Sequence, residues 1–454
     1  MKIIIAGAGK VGGAVAEILE SEGHDVTVLD SSSSRITAAS NSLDVICVEG
    51  SATDPEALIE AGAQSADLVV AATRSDEMNM VCGIAARKLG TRHVIARIRD
   101  PEYLHQTEFL RESLGLSVII NPEYECALEI SRILRFPSAV RVDAFSTGSV
   151  EIIEHRVTAE SKLAGMKLRE LPGAFGARVL VAVVERGGEA IIPNGDFVIQ
   201  SGDMLSITGD TREMRRFFLA IGQYRKRVKN VMILGGGRIA VYLTRILQDS
   251  GIRVTVVEKD RARCDALCDA IPDAVISCGD GTTKTVLMED GIGSADAFVA
   301  LTGDDGDNII TSLFARSCGV EKIVTKVNRD QYSEILESSG LDCIVNVKTI
   351  VSQQIARYVR ALSDGAGSRV ETLHKLADGK VEALEFKVQD KARCVGIPLK
   401  DLKLKPNILV CALIRGGKSI IPGGTTTIEP GDHAIIVTGA GILKDIDAMV
   451  EGEG

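Results

Sequence analysis

Gly7-Ala8-Gly9-Lys10-Val11-Gly12 sets three glycines at G-x-G-x-x-G spacing, after the apolar run Ile3–Ala6 and ahead of a helical stretch from Val11 to Glu22. A second apolar run, Val26–Leu29, follows and ends on an acid, Asp30. Strand, glycine loop, helix, strand and acid, in that order, can hold a dinucleotide. Gly7 permits the tight turn, Gly9 leaves room for a pyrophosphate against the backbone, and Gly12 lets the helix pack close to the sheet. The free N–H groups and dipole at the helix start attract phosphate. Asp30 can accept hydrogen bonds from both ribose hydroxyls, and an acid there disfavours a 2′-phosphate, so NAD(H) is expected over NADP(H). The alternative is a βα turn that holds no ligand.

The same grammar recurs, with Lys2–Asp30 answered by Asn230–Glu258 at a constant offset. The second loop is Gly235-Gly236-Gly237-Arg238-Ile239-Ala240, with Ala240 in the third-glycine place and Glu258 in the acid place. Arg238 replaces Lys10 at the phosphate mouth, which suits a nucleotide richer in phosphate than NAD. A duplicated loop that has lost its ligand is the alternative here. Further candidates follow later apolar runs, where such a crevice opens. Ser51 and Ala52, like Gly279 and Asp280, follow the third run, where an adenine would lie. Thr73 and Arg74, like Thr302, follow the fourth; Arg97 and Lys326 follow the fifth and can reach a phosphate.

Apolar runs at Ile3–Ala6, Val26–Leu29, Val45–Val48, Leu68–Ala72, Val94–Ile98 and Val118–Ile120 alternate with helical stretches. That spacing implies an α/β fold with a doubly wound, Rossmann-like parallel sheet, its strands buried on both faces. From about Val140 the texture changes to short β-rich runs such as Val179–Val184 and Met204–Thr208, split by glycine turns, which reads as a small α+β lobe. The second half repeats the change, so Ile191-Ile192-Pro193-Asn194-Gly195 answers Ile420-Ile421-Pro422-Gly423-Gly424. The expected organisation is a tandem repeat. Residues 1–136 form a nucleotide-binding domain and 140–222 a small lobe; 223–229 is a linker; 230–362 and 369–454 repeat the pair. The stretch Ser363–Ser368 reads as a flexible linker inside the second unit. The helices Asn121–Arg135 and Lys348–Leu362 join each sheet domain to its small lobe and are expected to act as subunit crossovers and hinges.

Among 454 residues, 62 acids outnumber 52 bases, for a net charge of −10. That argues against a nucleic-acid partner, which needs a basic surface. Trp is absent and aromatics are 4%, which leaves little for base stacking. No run approaches the roughly 18–20 apolar residues of a membrane span, and the first run is too short for a signal-peptide core. The ten Cys form no Cys-x-x-Cys pair and read as reduced thiols of a cytoplasmic protein, most of them in the core. Cys264 and Cys268 are the nearest pair, but other tetrahedral ligands are not nearby, so no metal site is expected. None of the six His (His24, His93, His105, His155, His374, His433) recurs between the halves, and no nucleophile elbow, Walker lysine or paired-carboxylate signature is present. No catalytic residue is assigned and no enzyme is expected. A dehydrogenase would need an acid/base beside the nicotinamide. It stays as the runner-up, beside a soluble regulator of a different channel or antiporter.

Thr73-Arg74-Ser75-Asp76-Glu77-Met78-Asn79-Met80, then Ile95-Ala96-Arg97-Ile98-Arg99-Asp100-Pro101-Glu102-Tyr103 and Ile120-Asn121-Pro122-Glu123, follow the glycine loop and acid. This order resembles the RCK domain, a regulator of potassium conductance, and the small lobe resembles the RCK C-terminal domain. Two such pairs in one chain resemble the cytosolic regulatory subunits of Trk-type potassium uptake. The resemblance implies NAD(H), with ATP or ADP above all in the second site. It also implies a homo-oligomeric ring, commonly a tetramer, under a TrkH- or TrkG-like membrane channel on the inner face of the cell membrane. Ligand exchange would then gate the pore. Carried over by position, Gly7–Val11, Asp30, Ser51, Thr73, Arg74 and Arg97 would hold the first nucleotide. Gly235–Ile239, Glu258, Gly279, Thr302 and Lys326 would hold the second. In some relatives a glutamate at the Glu123 position helps hold a divalent cation; the second half has Lys348 near that place. The string Thr302-Gly303-Asp304-Asp305-Gly306-Asp307-Asn308 also departs from its first-half counterpart.

Overall fold

The computed structural model describes residues 1–104, 106–135, 141–145, 150–222, 228–329, 336, 339–341, 343–362, 370–377, 379–439, 441, 443 and 445–451. The expected linker 363–368 and most of 223–229 lie outside these, as does His105.

The first half opens with six short strands: β1 (Lys2–Ala6), β2 (Asp25–Asp30), β3 (Ile46–Glu49), β4 (Leu68–Ala71), β5 (His93–Arg97) and β6 (Val118–Ile120). They pair in parallel in the order β3-β2-β1-β4-β5-β6. This is the doubly wound order, in which the crevice opens where the chain reverses direction, between β1 and β4. Ile3, Ile4, Ile5 and Ala6 are buried, as are all four residues of β4. Central strands therefore read as uninterrupted apolar runs, and helices cover both faces. Burial on both faces fails at the edge, where Ile46 is 66% exposed; a strand with one neighbour keeps only part of its cover.

A small antiparallel sheet follows, built from β7 (Arg141–Ala144), β8 (Glu151–Arg156), β9 (Val179–Arg186), β10 (Glu189–Ile191) and β11 (Met204–Gly209), in the order β10-β9-β11-β8-β7. The second half repeats both layers. Its parallel sheet is β12 (Asn230–Leu234), β13 (Arg253–Glu258), β14 (Val275–Cys278), β15 (Ala297–Ala300), β16 (Lys322–Lys326) and β17 (Cys343–Val345), ordered β14-β13-β12-β15-β16-β17. Its antiparallel sheet is β18 (Val370–Leu376), β19 (Val381–Lys387), β20 (Ile408–Arg415), β21 (Lys418–Ile420) and β22 (His433–Gly439), ordered β18-β19-β22-β20-β21.

The halves interleave in space. Met1–Ser131 and Val228–Ala356, which carry both parallel sheets, make one compact unit; Arg132–Arg227 and Arg357–Gly454 make the other. In the second unit one apolar core takes Phe145, Ile152 and Val183 from the first half and Leu376, Ala383 and Ile435 from the second. The helices Pro122–Arg135 and Val347–Leu362 each run across the boundary. No helix among the described residues is long and apolar enough to cross a membrane.

Candidate nucleotide-binding sites

Both glycine loops sit at the carboxyl end of the first strand of their sheet. Gly7 has φ +111°, and a Cβ there would lie 2.8 Å from the Ala72 carbonyl carbon. The loop after β1 thus presses on the end of β4, and only glycine fits. A Cβ on Gly12 would fall 1.8 Å from the Gly7 oxygen, so the helix Lys10–Ser21 starts almost in contact with the turn. Gly9 has nothing within 4 Å of its absent Cβ, which leaves open space on the loop's outer side. The second loop keeps the frame: Gly235 has φ +97°, Gly237 faces open space, and Ala240 is fully buried in the third-glycine place. Gly236 differs in its reason. Its Cβ would strike Leu267 at 2.4 Å, so glycine there serves packing.

The acids are tied into the loops. Asp30, 6% exposed, accepts from the N–H of Ala8 at 2.7 Å and of Ser32 at 2.8 Å, with Arg35 at 3.3 Å. Glu258 repeats this, accepting from the N–H of Gly236 at 2.8 Å and of Asp260 at 2.9 Å. Each carboxylate shapes its loop and keeps lone-pair capacity for a ribose, since two oxygens offer about four acceptor sites. Arg35, a neighbour of the first acid, was not among the sequence candidates. Its position at the start of the helix Ser33–Ser42 was the available signal.

The loops after the third strands are largely self-satisfied. The Ser51 hydroxyl lies 2.9 Å from that of Thr53, and Ala52 is buried. Asp280 accepts from the N–H and hydroxyl of Thr282, and those bonds hold its carboxyl below the usual range. Gly279 meets Val286 closely, at 3.0 Å from its absent Cβ.

After the fourth strands, one asparagine organises each site. Asn79, fully buried, accepts from the Thr73 N–H and hydroxyl, both at 2.7 Å, and donates to the Arg97 carbonyl at 2.7 Å. Asn308 makes the same bonds to Thr302 and to the Lys326 carbonyl. Asp76 accepts from the N–H groups of Arg99 and Asp100, and Asp305 from those of Asn328 and Arg329. The divergent string Thr302–Asn308 therefore keeps the geometry of Thr73–Asn79. The recurrence of Thr and Asn at equal spacing in both halves was the signal that could have found this frame. Arg74 lies on the exposed rim, and its carbonyl accepts from Arg99.

Arg97 and Lys326 are the last residues of the fifth strands rather than residues beyond them, and both are deeply placed. Arg97 donates to the Thr73 carbonyl at 3.2 Å, while its Nε is buried without a partner. Burial pulls its guanidinium below the usual value; Arg99 adds to that and Glu123 opposes it. Burial likewise lowers the Lys326 ammonium, against the pull of Cys126 and Asp305. Both cations are poised to gain from an anion.

A cavity of about 470 Å³ opens beneath the second loop. Gly236, Gly237, Arg238 and Lys326 line it, with Leu267 and Arg263 from the helix Arg261–Ala270. Glu123, from the first half, lines it too. One of its carboxylate oxygens is buried without a hydrogen-bond partner, and burial raises its pKa against the opposing Arg97, Arg99 and Arg238. The second crevice is thus built by both halves. Tyr242 joins them again: its hydroxyl donates to the Arg99 carbonyl at 3.0 Å and accepts from Asn121 at 2.9 Å.

Two Rossmann-like domains with glycine-loop crevices, each followed by a small β lobe, define a protein of tandem RCK-type architecture. A model of the TrkA-N domain matches residues 3–122 and 231–347, and a model of the TrkA-C domain matches 152–222 and 383–450. The Trk system potassium uptake protein TrkA homolog of Archaeoglobus fulgidus is 34% identical over 436 residues, covering 96% of this chain and 97% of its own. The Trk system potassium uptake protein TrkA of Vibrio alginolyticus is 30% identical over 458 residues, covering 99% of each chain. The chain belongs to the TrkA family of Trk potassium uptake proteins. The GsuK RCK domain shares the fold with a TM-score of 0.63 at 19% identity, covering 97% of this chain and 92% of that one. A structure described as the GsuK channel bound to NAD does so at 0.62 and 19%, covering 97% and 77%.

Proposed function

We propose that this chain is a nucleotide-sensing subunit that gates a membrane potassium-uptake channel, with no chemistry performed on the ligand. The first crevice takes NAD(H) through Gly7–Val11, Asp30, Ser51, Ala52, Thr73, Arg74 and Arg97. The second takes an adenine nucleotide, ATP or ADP, through Gly235–Ile239, Glu258, Gly279, Asp280, Thr302 and Lys326. The observation that carries the reading is the placement of first-half Glu123 in the second half's cavity, beside Arg238 and Lys326. A ligand shifts a conformational equilibrium only through its differential affinity for the two states, and a crevice shared by two halves can supply that difference. The side chains at the mouths, Lys10, Arg97, Arg238 and Lys326, recognise anions rather than shuttle protons. A ring of chains, tetrameric as in the family resemblance, docked under the channel at the cytoplasmic face of the membrane would carry the signal to the pore.

Calorimetric titration with NAD⁺, NADH, ATP and ADP tests the assignment. Asp30→Ala should weaken NAD(H) binding at least tenfold and leave ATP or ADP binding intact; Glu258→Ala should do the reverse. Potassium flux through the reconstituted channel subunit should then change with the nucleotide in wild type and lose that response in the matching variant. Unchanged binding in both variants would overturn the reading.

A further inference from the structure

The second small lobe carries a side-chain trio that the nucleotide reading does not use. His433 begins β22, Glu385 lies on β19 and Glu371 on β18, three strands adjacent in one sheet. The His433 Nδ1 stands 2.8 Å from a Glu371 oxygen and 3.0 Å from a Glu385 oxygen, and all three atoms lie within 4.8 Å of one another. The Glu385 side chain is fully buried, while His433 and Glu371 are 23% and 30% exposed. From these positions we infer that the trio is a binding site for a divalent first-row cation such as Mn²⁺ or Zn²⁺, held by one imidazole nitrogen and two carboxylates, with water completing the shell.

Two independent observations favour a cation over a simple hydrogen bond. An imidazole nitrogen carries at most one hydrogen, and one hydrogen serves two carboxylates poorly. A metal about 2.0–2.2 Å from each donor would serve all three at once. The backbone also departs from regularity to deliver the third donor. The ladder between β18 and β19 shifts between Val370 and Thr372, so Glu371 is an extra residue in a bulge. Bulges redirect side chains beside functional sites. Oxygen and nitrogen donors without sulfur suit Mn²⁺ or Zn²⁺.

The first lobe is an internal control. Met204 opens β11 as His433 opens β22, and the register there pairs Arg141 with Glu154. A thioether in the imidazole's place removes the nitrogen donor, so the site belongs to one lobe.

Mn²⁺ titration of the purified, tag-free full chain, followed by electron paramagnetic resonance of the free ion, tests the site and avoids the cysteines. Wild type should bind one more equivalent of Mn²⁺ than His433→Met or Glu371→Gln, with at least tenfold weaker binding at that site in each variant. A cooperative melt in EDTA for each variant, at whatever temperature, separates metal loss from misfolding. Retention of the full complement of bound Mn²⁺ by either variant, or no Mn²⁺ bound by wild type at this site, would overturn the inference.

Discussion

Asn79 and Asn308 show how a single buried amide fixes a crevice. Each satisfies the N–H and hydroxyl of a threonine after the fourth strand and reaches the carbonyl of the cation that ends the fifth. Removing the amide strands at least one buried donor and one buried acceptor, at about 1–3 kcal/mol for each group. Asn79→Ala should therefore cost about 2–4 kcal/mol, read as a lower midpoint in urea unfolding. It should also release Arg97 and weaken the ligand of the first crevice more than that of the second. A drop in stability with first-crevice affinity untouched would show that the asparagine holds only the sheet together. Glycines act at the same scale. With its Cβ 1.8 Å from the Gly7 oxygen, Gly12→Ala must push the helix off the turn and should cost about 1–3 kcal/mol by thermal unfolding.

At the scale of elements, the parallel strands were legible because burial on both faces writes them as apolar runs between helices, and their observed bounds lie within a residue or so of those runs. The edges were not, since β3 and β14 expose Ile46 and Val275 at 66% and 63% while keeping the same composition. The glycine loops and their acids were legible from local spacing. Arg35 beside Asp30, and Glu123 in the other half's crevice, were not, because those meetings are set by packing between elements distant in the chain. The small lobes hold a repeated device that their glycine turns concealed. Arg186 grips Asp203 through two nitrogens at 2.7 and 2.8 Å, and Arg415 grips Asp432 at 2.8 and 2.7 Å. Both aspartates are 1% exposed and also accept a backbone N–H, from Gln200 and Glu429. Each pair pins the turn before the last long strand of its lobe. Asp432→Ala should cost about 2–4 kcal/mol, at the lower end for a broken buried pair because Arg415 stays one-third exposed. Unfolding by guanidinium checks it, and Glu429→Ala, which removes only an exposed partner of Arg415, should cost no more than about 1 kcal/mol.

At the scale of the whole molecule, the duplication matters because the two parallel sheets make one compact unit rather than two beads. Tyr242 ties the second half's first helix to the first half through Arg99 and Asn121, so Tyr242→Phe should cost about 1–2 kcal/mol by urea unfolding. Glu123 carries the sharper test, because its charge faces Arg238 and Lys326 across that same junction. Burial raises its pKa above the ordinary carboxyl value, so folding favours the protonated form relative to the unfolded chain, although at pH well above that value the group is an anion. That preference contributes stability in full below about pH 4.3, the ordinary value for glutamate, and is lost as pH rises through the higher folded value. Glu123→Gln should therefore melt above wild type at pH 8, with the gap closing as the pH falls below about 4.3. The same anion opposes any phosphate entering the second crevice. Removing one like charge a few ångströms from a phosphate is worth about 1 kcal/mol in a half-hydrated site, so Glu123→Gln should tighten an adenine nucleotide there about 3- to 10-fold. Because the residue belongs to the first half and the ligand to the second, that gain, measured by calorimetry at pH 8, would demonstrate that one half reads the other's ligand. Unchanged or weaker binding would mean that Glu123 does not oppose the phosphate, and the coupling would then have to run through Tyr242 and the Arg99 carbonyl instead.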